Sequence, residues 1–239
     1  MKNLAIVIPV FNEEKTIAKV VSDWSQIIEI DQLDLIIVND GSSDQTLKIL
    51  EDLKKDTLNL IVINKKNEGH GYAICEGYKY ASQNNYQFIF QTDSDDQFFA
   101  SDFVKLWSRK NDIHEIILGS RASRKDPFIR IFLSKVILRA ILSIIFGKYI
   151  HDPNTPYRLI QRNFLISFMK INPEKYIAPN LIMSLFAKKI IKVNIKHRER
   201  NFGEQKWPIK KLINFGIKLI KDLYFFKILY AYYKTARCN

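Results

Sequence analysis

The chain has 239 residues, enough for one α/β domain with a short appendage and too few for two full-sized domains. Hydrophobic residues make up 47% of the chain and aromatic residues 13%, which excludes a disordered protein. The net charge of +12 requires an anionic partner, and nucleic acid, anionic lipid or a phosphorylated substrate would each satisfy it.

The two cysteines and the amino terminus indicate a cytoplasmic protein. Cys75 and Cys238 are far apart and lack any metal-binding spacing, as expected in a reducing compartment. The first apolar run, LAIVIPV, is short and is followed by acids without a small-residue cleavage site. It therefore predicts a strand and not a signal peptide.

Short apolar runs alternate with helix-period stretches along the first half of the chain. In order they are LAIVIPV, a helix from Val20 to Ile28, LDLIIVND, a helix from Asp44, LNLIVIN, a helix from Gly69 to Ala81, FIFQTD and IHEIILGS. This alternation predicts an α/β fold with a mostly parallel central sheet flanked by helices. The polar residues and glycines that end the strands should then line one crevice.

Two later segments are apolar but interrupted by basic residues. Charged residues leave Pro127–Gly147 without an uncharged run long enough to span a membrane, so we expect an amphipathic helix in the interface. The segment from Trp207 to Tyr233 has the same character. We expect a domain over residues 1–205 and a basic amphipathic helical segment over 206–239, peripherally attached to an anionic membrane surface.

The sequence Asp93-Ser-Asp95-Asp96-Gln97 places three carboxylates within four residues. Carboxylates this close repel one another unless protons or a cation intervene, so a hard divalent metal is one interpretation. A solvated acidic turn is the other. A phosphate-bearing substrate of a basic protein favours the metal, Mg²⁺ or Mn²⁺.

The chain resembles the family 2 glycosyltransferases, and within them the polyprenyl-phosphate sugar transferases. The resemblance is carried by blocks in the family order: IPVFNEE, VNDGSSDQT, NEGHGYA, TDSDDQF, GSR, DPNTPYRL and RNFGEQKW. It implies a GT-A, Rossmann-like fold and inverting transfer of a hexose from a UDP- or GDP-linked donor, assisted by Mg²⁺ or Mn²⁺.

The resemblance also implies roles for individual residues. Residues expected to bind the nucleotide sugar are Pro9, Phe11, Asn12, Glu13, Asp40, Gly69, Gly71, Asp93 and Lys206. Residues expected to hold the metal are Asp93, Asp95 and Gln97. Residues expected to act in catalysis are Asp93, Asp95, Arg121 and Arg200. Residues expected to receive the acceptor phosphate are Arg121, Arg130 and Ser134.

Three positions depart from the family pattern. Asn39 replaces a common aspartate, which alters the expected contacts with the base or ribose. Asp96 stands where a small residue is usual, and we expect its charge to tune metal affinity or donor preference. The sequence Gly-Glu-Gln-Lys at 203–206 lacks the serine that is common there.

Other functions remain open at this point. A transferase that extends a cell-envelope polysaccharide would need a base for its hydroxyl acceptor, and Asp152 is the candidate. A non-catalytic nucleic-acid-binding domain would explain the charge but not a carboxylate cluster in the crevice, so we expect no nucleic acid. Family relatives often carry carboxy-terminal membrane spans, so attachment here falls to the amphipathic helices or to a membrane protein partner.

Overall fold

The fold is described from a computed structural model, which covers residues 2–27, 33–111, 113–121, 138–147, 152–198 and 209–236. Seven strands lie in these ranges. They are β1 (Lys2–Val10), β2 (Leu33–Asp40), β3 (Leu60–Lys65), β4 (Tyr86–Gln91), β5 (Ile116–Arg121), β6 (Arg158–Gln161) and β7 (Ile190–Ile195).

Eight α-helices and two short 3₁₀ helices lie in the same ranges. The α-helices are α1 (Ile17–Ser25), α2 (Thr46–Asp56), α3 (His70–Gln83), α4 (Phe103–Trp107), α5 (Leu138–Phe146), α6 (Arg162–Met169), α7 (Pro179–Phe186) and α8 (Ile209–Ala236). The 3₁₀ helices are Ala100–Asp102 and Pro173–Lys175.

The strands form one sheet in the order β3-β2-β1-β4-β6-β5-β7. Strand β6 pairs antiparallel with both β4 and β5, and every other pairing is parallel. The predicted mostly parallel sheet is therefore confirmed. Since β6 inserts between two strands that run in the same direction, the carboxyl ends of β4 and β5 lie at one edge, about 10 Å apart at the usual strand spacing.

The central strands are buried on both faces, as their continuous apolar sequences predict. In β1 the side chains of Leu4, Ile6 and Ile8 join one hydrophobic cluster, which includes residues of α1, α2 and α4. Ala5 and Val7 point into the opposite cluster, which is built with α3, α6, α7 and α8. Helices therefore cover both faces of the sheet.

The predicted strands of the first half are all present, and LDLIIVND matches β2 residue for residue. The helix predicted from Val20 to Ile28 begins earlier, at Ile17, and ends at Ser25. Ile28 itself lies outside the described residues. Helix α2 begins at Thr46, where the backbone N–H donates to the side chain of the predicted starting residue, Asp44, at 3.0 Å.

The carboxy-terminal helix α8 packs against the domain through one face. Leu219, Leu223 and Phe226 are buried in the hydrophobic core, and the Phe226 ring lies 5.9 Å from that of Phe146 in α5. The carboxylate of Asp222 accepts a hydrogen bond of 2.7 Å from the backbone N–H of Ile177. The predicted carboxy-terminal amphipathic helices are thus present, and α8 shares its core with the first 205 residues.

No helix within the described ranges combines the length and the apolar character that crossing a membrane requires. The predicted interfacial segment 127–147 is described only from residue 138 onward, where α5 ends at Phe146. The preceding part of that segment lies outside the described residues.

Gly77 sets the distance between α3 and the sheet. A Cβ atom added there would lie 2.3 Å from Cγ1 of Val7 in β1 and 3.3 Å from Cγ2 of Val38 in β2. These valines are buried, so they cannot move aside freely. Helix α3 therefore approaches the two strands at a distance that only glycine allows.

We expect Gly77→Ala to lower the free energy of unfolding by about 1 to 3 kcal/mol, because overpacking a close contact outweighs the better helix propensity of alanine. Urea unfolding followed by circular dichroism measures the change. Gly216→Ala in α8 is the matched control, since nothing lies within 4 Å of its added Cβ. A Gly77→Ala protein as stable as the wild type would contradict the close packing.

Candidate active site

Most of the predicted site residues within the described ranges follow the carboxyl ends of five strands. Because β1 to β5 all run in the same direction in the sheet, their following loops lie at one edge, where open α/β sheets bind ligands. The residues at this edge are Phe11, Asn12, Glu13, Asp40, Gly69, Gly71, Asp93, Asp95, Gln97 and Arg121.

The loop after β1 is tied to the loop after β2. Asn12 has a left-handed φ of 53°, its backbone N–H donates to Ser42 Oγ at 2.9 Å, and its Oδ1 accepts from the Ser43 N–H at 2.8 Å. Phe11 is 47% exposed beside it, whereas Pro9 is buried within β1 opposite Val38. Phe11 is therefore exposed at this edge and Pro9 is buried in the preceding strand, and the expected contacts of both residues with the nucleotide sugar stay predictions.

Glu13 connects the same loop to two other elements. Its backbone N–H donates to Thr46 Oγ1 at 2.9 Å, at the start of α2. Its carboxylate accepts a hydrogen bond of 2.9 Å from Thr16 Oγ1, which also lies 3.3 Å from the carbonyl oxygen of Ser94. The loops after β1, β2 and β4 are therefore joined by hydrogen bonds.

Asp40 organises the loop after β3. Only 2% of the residue is exposed, and its carboxylate accepts from the backbone N–H of Glu68 at 3.1 Å, the N–H of Gly69 at 2.8 Å and Lys65 Nζ at 2.8 Å. Burial lowers the pKa of Lys65, but the hydrogen bonds to Asp40 and Glu68 outweigh this and raise it. Asp40 therefore has a structural role, and its predicted contact with the base remains a prediction.

Asn39 is fully buried next to Asp40, and its Nδ2 donates to Asn64 Oδ1 at 2.8 Å across the β2–β3 pair. A carboxylate at position 39 could not donate this bond, and it would add a second negative charge beside Asp40. The departure from the family aspartate thus matches the amide partner that this chain places at position 64.

The two predicted donor-binding glycines have different surroundings. Gly69 has a φ of 104°, and a Cβ added there meets nothing within 4 Å, so the backbone is open to a ligand. A Cβ at Gly71 would lie 3.1 Å from Cδ of Pro179. The packing of α3 against α7 therefore accounts for Gly71 independently of any donor.

The acidic turn, defined here as Asp93–Gln97, follows β4. The Asp93 carboxylate lies 3.6 Å from His70 Nε2 and accepts a hydrogen bond of 3.4 Å from Gln91 Nε2. Asp95 Oδ1 accepts from the backbone N–H of Gln97 at 3.1 Å. His70 is exposed at the first position of α3, and sequence analysis did not select it because a lone histidine carries no distinguishing pattern.

Arg121 at the end of β5 forms a bidentate ion pair with Asp152. Its Nε and Nη2 lie 2.8 and 2.9 Å from the two carboxylate oxygens, and both side chains are largely buried. Arg121, which is predicted to bind the acceptor phosphate, is thus paired with Asp152, the candidate base for a hydroxyl acceptor. A guanidinium has five N–H donors and this pair uses two, so an anion can share the same arginine.

A buried arginine supports both sides of the crevice. Arg158 in β6 has no exposed surface, and its guanidinium donates to the carbonyl oxygens of Pro153 and Thr155 in the turn after Asp152. It also donates to the carbonyl oxygen of Asn180 at 2.9 Å. Burial lowers the pKa of Arg158, and the negative charges of Asp152 and Asp93 act against this effect.

Asn180 continues the same network toward the acidic turn. Its Nδ2 donates to Gln91 Oε1 at 2.9 Å, and its Oδ1 accepts from the Tyr78 hydroxyl at 3.1 Å. Gln91 in turn donates to Asp93. Sequence analysis quoted Arg158 within DPNTPYRL but assigned it no role, since burial of a charged residue has no signature in the sequence.

Four predicted site residues lie outside the described residues. They are Arg130, Ser134, Arg200 and Lys206. Their roles remain predictions from the family resemblance.

The residues of the acidic turn suit a hard divalent cation that is shared with a substrate. In the described part of the chain, no group of three or more His, Cys, Asp or Glu side chains has the arrangement of a metal site. Mg²⁺ is commonly held by one or two carboxylates and completed by water and substrate phosphates. Two aspartates and the Gln97 amide fit that mode, not a cage made by protein alone.

A mostly parallel α/β sheet with carboxylates, glycines and an arginine at its carboxyl edge places the protein among the open α/β proteins that bind ligands where their strands end. The chain belongs to Glycosyl transferase family 2, because the model of that family matches residues 5–173. It is a glycosyltransferase, and the resemblance read from the sequence blocks is confirmed.

Curated relatives match over most of the chain. The undecaprenyl-phosphate 4-deoxy-4-formamido-L-arabinose transferase of Photorhabdus laumondii is 27% identical over 229 residues, covering 93% of this chain and 68% of the relative. The enzyme of the same name from Enterobacter sp. is 26% identical, covering 92% and 67%. The uncharacterized protein MJ0544 of Methanocaldococcus jannaschii is 35% identical, covering 78% and 83%.

Solved structures show the same fold. Glucosyl-3-phosphoglycerate synthase from Mycobacterium tuberculosis in complex with UDP superposes with a TM-score of 0.64 at 17% identity, covering 95% of this chain and 80% of that one. A complex of the same enzyme with Mn²⁺, UDP-glucose and phosphoglyceric acid also has a TM-score of 0.64. The predicted GT-A architecture is therefore confirmed.

Proposed function

We propose that this glycosyltransferase moves a sugar from a UDP- or GDP-linked donor to a polyprenyl phosphate, with inversion at the anomeric carbon, at the inner face of the cell membrane. The observation that carries the proposal is the placement of the acidic turn and Arg121 at one edge of the sheet, two strands apart. The names of two curated relatives, which specify undecaprenyl phosphate, support the acceptor.

The donor side of the crevice has the groups needed to hold a nucleotide diphosphate. Asp93, Asp95 and Gln97 would hold Mg²⁺ or Mn²⁺, which when bound supplies positive charge to the departing diphosphate. The open space next to Gly69 would allow the donor to approach the backbone closely, and Phe11 offers an exposed ring at the same edge of the sheet. The chain's main task is to align the two substrates.

The acceptor side suits an anion. A phosphate monoester has a second pKa of about 6, so it is largely ionised at neutral pH and needs no base before it attacks. Asp152 holds the Arg121 guanidinium through two hydrogen bonds, which fixes its orientation toward a phosphate. Both carboxylate oxygens of Asp152 are engaged by Arg121, and this argues against the rival transferase, which needs Asp152 to face a hydroxyl acceptor as a base.

The outward face of α8 supports attachment to an anionic membrane. Large apolar residues on this face are exposed at helical spacing, namely Ile217, Ile220, Tyr224, Phe225 and Ile228. Lys218, Lys221 and Lys227 are exposed on the same helix. Asp222, the acidic residue of α8, instead bonds to the domain. Apolar residues and lysines exposed together suit a surface of anionic lipids.

We expect a donor assay to identify the activity. The full chain is incubated with Mn²⁺, undecaprenyl phosphate and a panel of UDP- and GDP-sugars, and release of the nucleotide is followed together with formation of the glycolipid. Release should depend on the acceptor and stop with EDTA. Asp95→Asn should lower the rate at least about 100-fold, because charge on the leaving group is no longer offset.

Asp52→Asn is the matched control for this assay. It removes one carboxylate from an exposed ion pair on α2, away from the crevice, and should leave the rate unchanged. Transfer that persists in EDTA, or an Asp95→Asn enzyme with full activity, would contradict the role of the acidic turn.

A second comparison separates the two acceptor classes. With polyprenyl phosphate, Arg121→Gln should raise KM for the acceptor about 10- to 100-fold, the loss expected for a charged hydrogen-bonded pair. Asp152→Asn should retain transfer within about tenfold, since an ionised phosphate needs no base. If Asp152→Asn instead lost about 10²- to 10⁴-fold in kcat, the hydroxyl-acceptor mechanism would be correct.

Co-sedimentation with vesicles tests the membrane surface. The triple variant Lys218→Gln, Lys221→Gln, Lys227→Gln should bind vesicles rich in phosphatidylglycerol about 100-fold more weakly, at roughly 1 kcal/mol per lysine. The control neutralises Lys48, Lys54 and Lys55 on α2, which are also exposed. Equal losses in both variants would show that α8 has no special part in binding.

A further inference from the structure

Asp96 differs in its contacts from the other two carboxylates of the acidic turn. Its Oδ1 lies 3.0 Å from Lys19 Nζ in α1, and the Arg198 guanidinium donates both to its carboxylate and to its backbone carbonyl oxygen. Its side chain is largely buried between these two cations. The charge that we expected to tune the metal is therefore directed into ion pairs.

Arg198 contacts the acidic turn at more than one position. Its backbone N–H donates to the carbonyl oxygen of Gln97 at 3.0 Å, and Gln97 Nε2 donates back to the Arg198 carbonyl oxygen at 3.2 Å. Its guanidinium carbon lies 4.5 Å from the centre of the Phe99 ring. Arg198 thus holds three residues of one short stretch of chain in fixed relative positions.

The backbone of the turn has an uncommon conformation at Asp96. Asp96 has a φ of 57°, in the left-handed region that residues other than glycine, asparagine and aspartate seldom adopt. Aspartate tolerates this conformation better than most residues, and the contacts of Arg198 with both the side chain and the carbonyl oxygen of Asp96 hold it in place. The conformation of Asp96 also separates Asp95 from Gln97, and both are expected to meet the metal.

We propose that Asp96, Arg198 and Lys19 form a clamp that positions the neighbouring Asp95 and Gln97 for the divalent ion, and that Asp96 is not itself a ligand. This inference rests on the proposed metal-dependent transfer. The clamp lowers repulsion within the turn by giving one of its three carboxylates to two cations, and it fixes the backbone on either side of Asp96. Asp96 is a positioning residue of the acidic turn.

The clamp and a direct ligand role predict opposite effects for Arg198→Gln. If Asp96 were a ligand, Arg198→Gln would strengthen Mn²⁺ binding for two reasons. The substitution would free the Asp96 carboxylate, and it would remove a positive charge near the metal. If Asp96 acts through the clamp, Arg198→Gln loosens the turn and weakens Mn²⁺ binding, as does Asp96→Asn. The double variant keeps the net charge of the wild type and isolates the loss of the clamp.

We expect both single variants to weaken Mn²⁺ binding about 10- to 100-fold, the range seen when residues behind metal ligands are changed. The Mn²⁺ affinity of the double variant should be no lower than that of the single variant that binds Mn²⁺ more weakly, because Asp96 and Arg198 act as a unit. Electron paramagnetic resonance of free Mn²⁺ measures the affinity without turnover. Circular dichroism establishes that each variant is folded, and Arg198→Lys should restore part of the affinity.

Lys105→Gln provides the control, since it removes one cation from a neighbouring ion pair with Asp102 outside the turn. Tighter Mn²⁺ binding by Arg198→Gln would overturn the clamp, and so would additive losses in the double variant. A wild-type protein that binds Mn²⁺ with the expected variant pattern but transfers no sugar would overturn the proposed function alone. A wild-type protein that takes up no Mn²⁺, either alone or with UDP or GDP present, would overturn both.

Discussion

The buried guanidinium of Arg158 is the interaction on which the geometry of the crevice depends. A cation without exposed surface is costly unless its hydrogen bonds are satisfied, and Arg158 meets this requirement with backbone carbonyl oxygens of two different segments. These carbonyls belong to the turn after Asp152 and to α7. The proposed acceptor side and, through Asn180 and Gln91, the proposed donor side are therefore connected to one buried charge.

Pairing of opposite charges is the common device of this site. Asp40 is held with Lys65, Asp96 with Arg198, and Asp152 with Arg121. Each pair fixes a loop at the edge of the sheet and prevents its carboxylate from competing for a cation. Asp93 has a histidine at 3.6 Å in place of an arginine or lysine. This difference agrees with the proposed role of Asp93 as a metal ligand, in a site where the phosphates of the donor complete the coordination of the metal.

Much of the fold follows from local pattern. A strand buried on both faces must be apolar throughout, so β1 and β2 were recognisable as runs, and their polar ends marked the crevice. The antiparallel insertion of β6 was not predictable, because four residues carry no signal of their direction or their neighbours. The same applies to the buried network of Arg158, whose partners are mostly backbone atoms that every residue possesses.

The sequence by itself determined the fold class, the family and the positions of the acidic turn and of Arg121, because these depend on residue types at fixed spacing along the chain. Only the tertiary structure decided what each charge does: Asp40 closes a loop, Asp96 pairs with Arg198, and Asp152 orients Arg121. The physical reason is that the role of a charge depends on its neighbours in space. Here those neighbours lie 25 or more residues away along the chain.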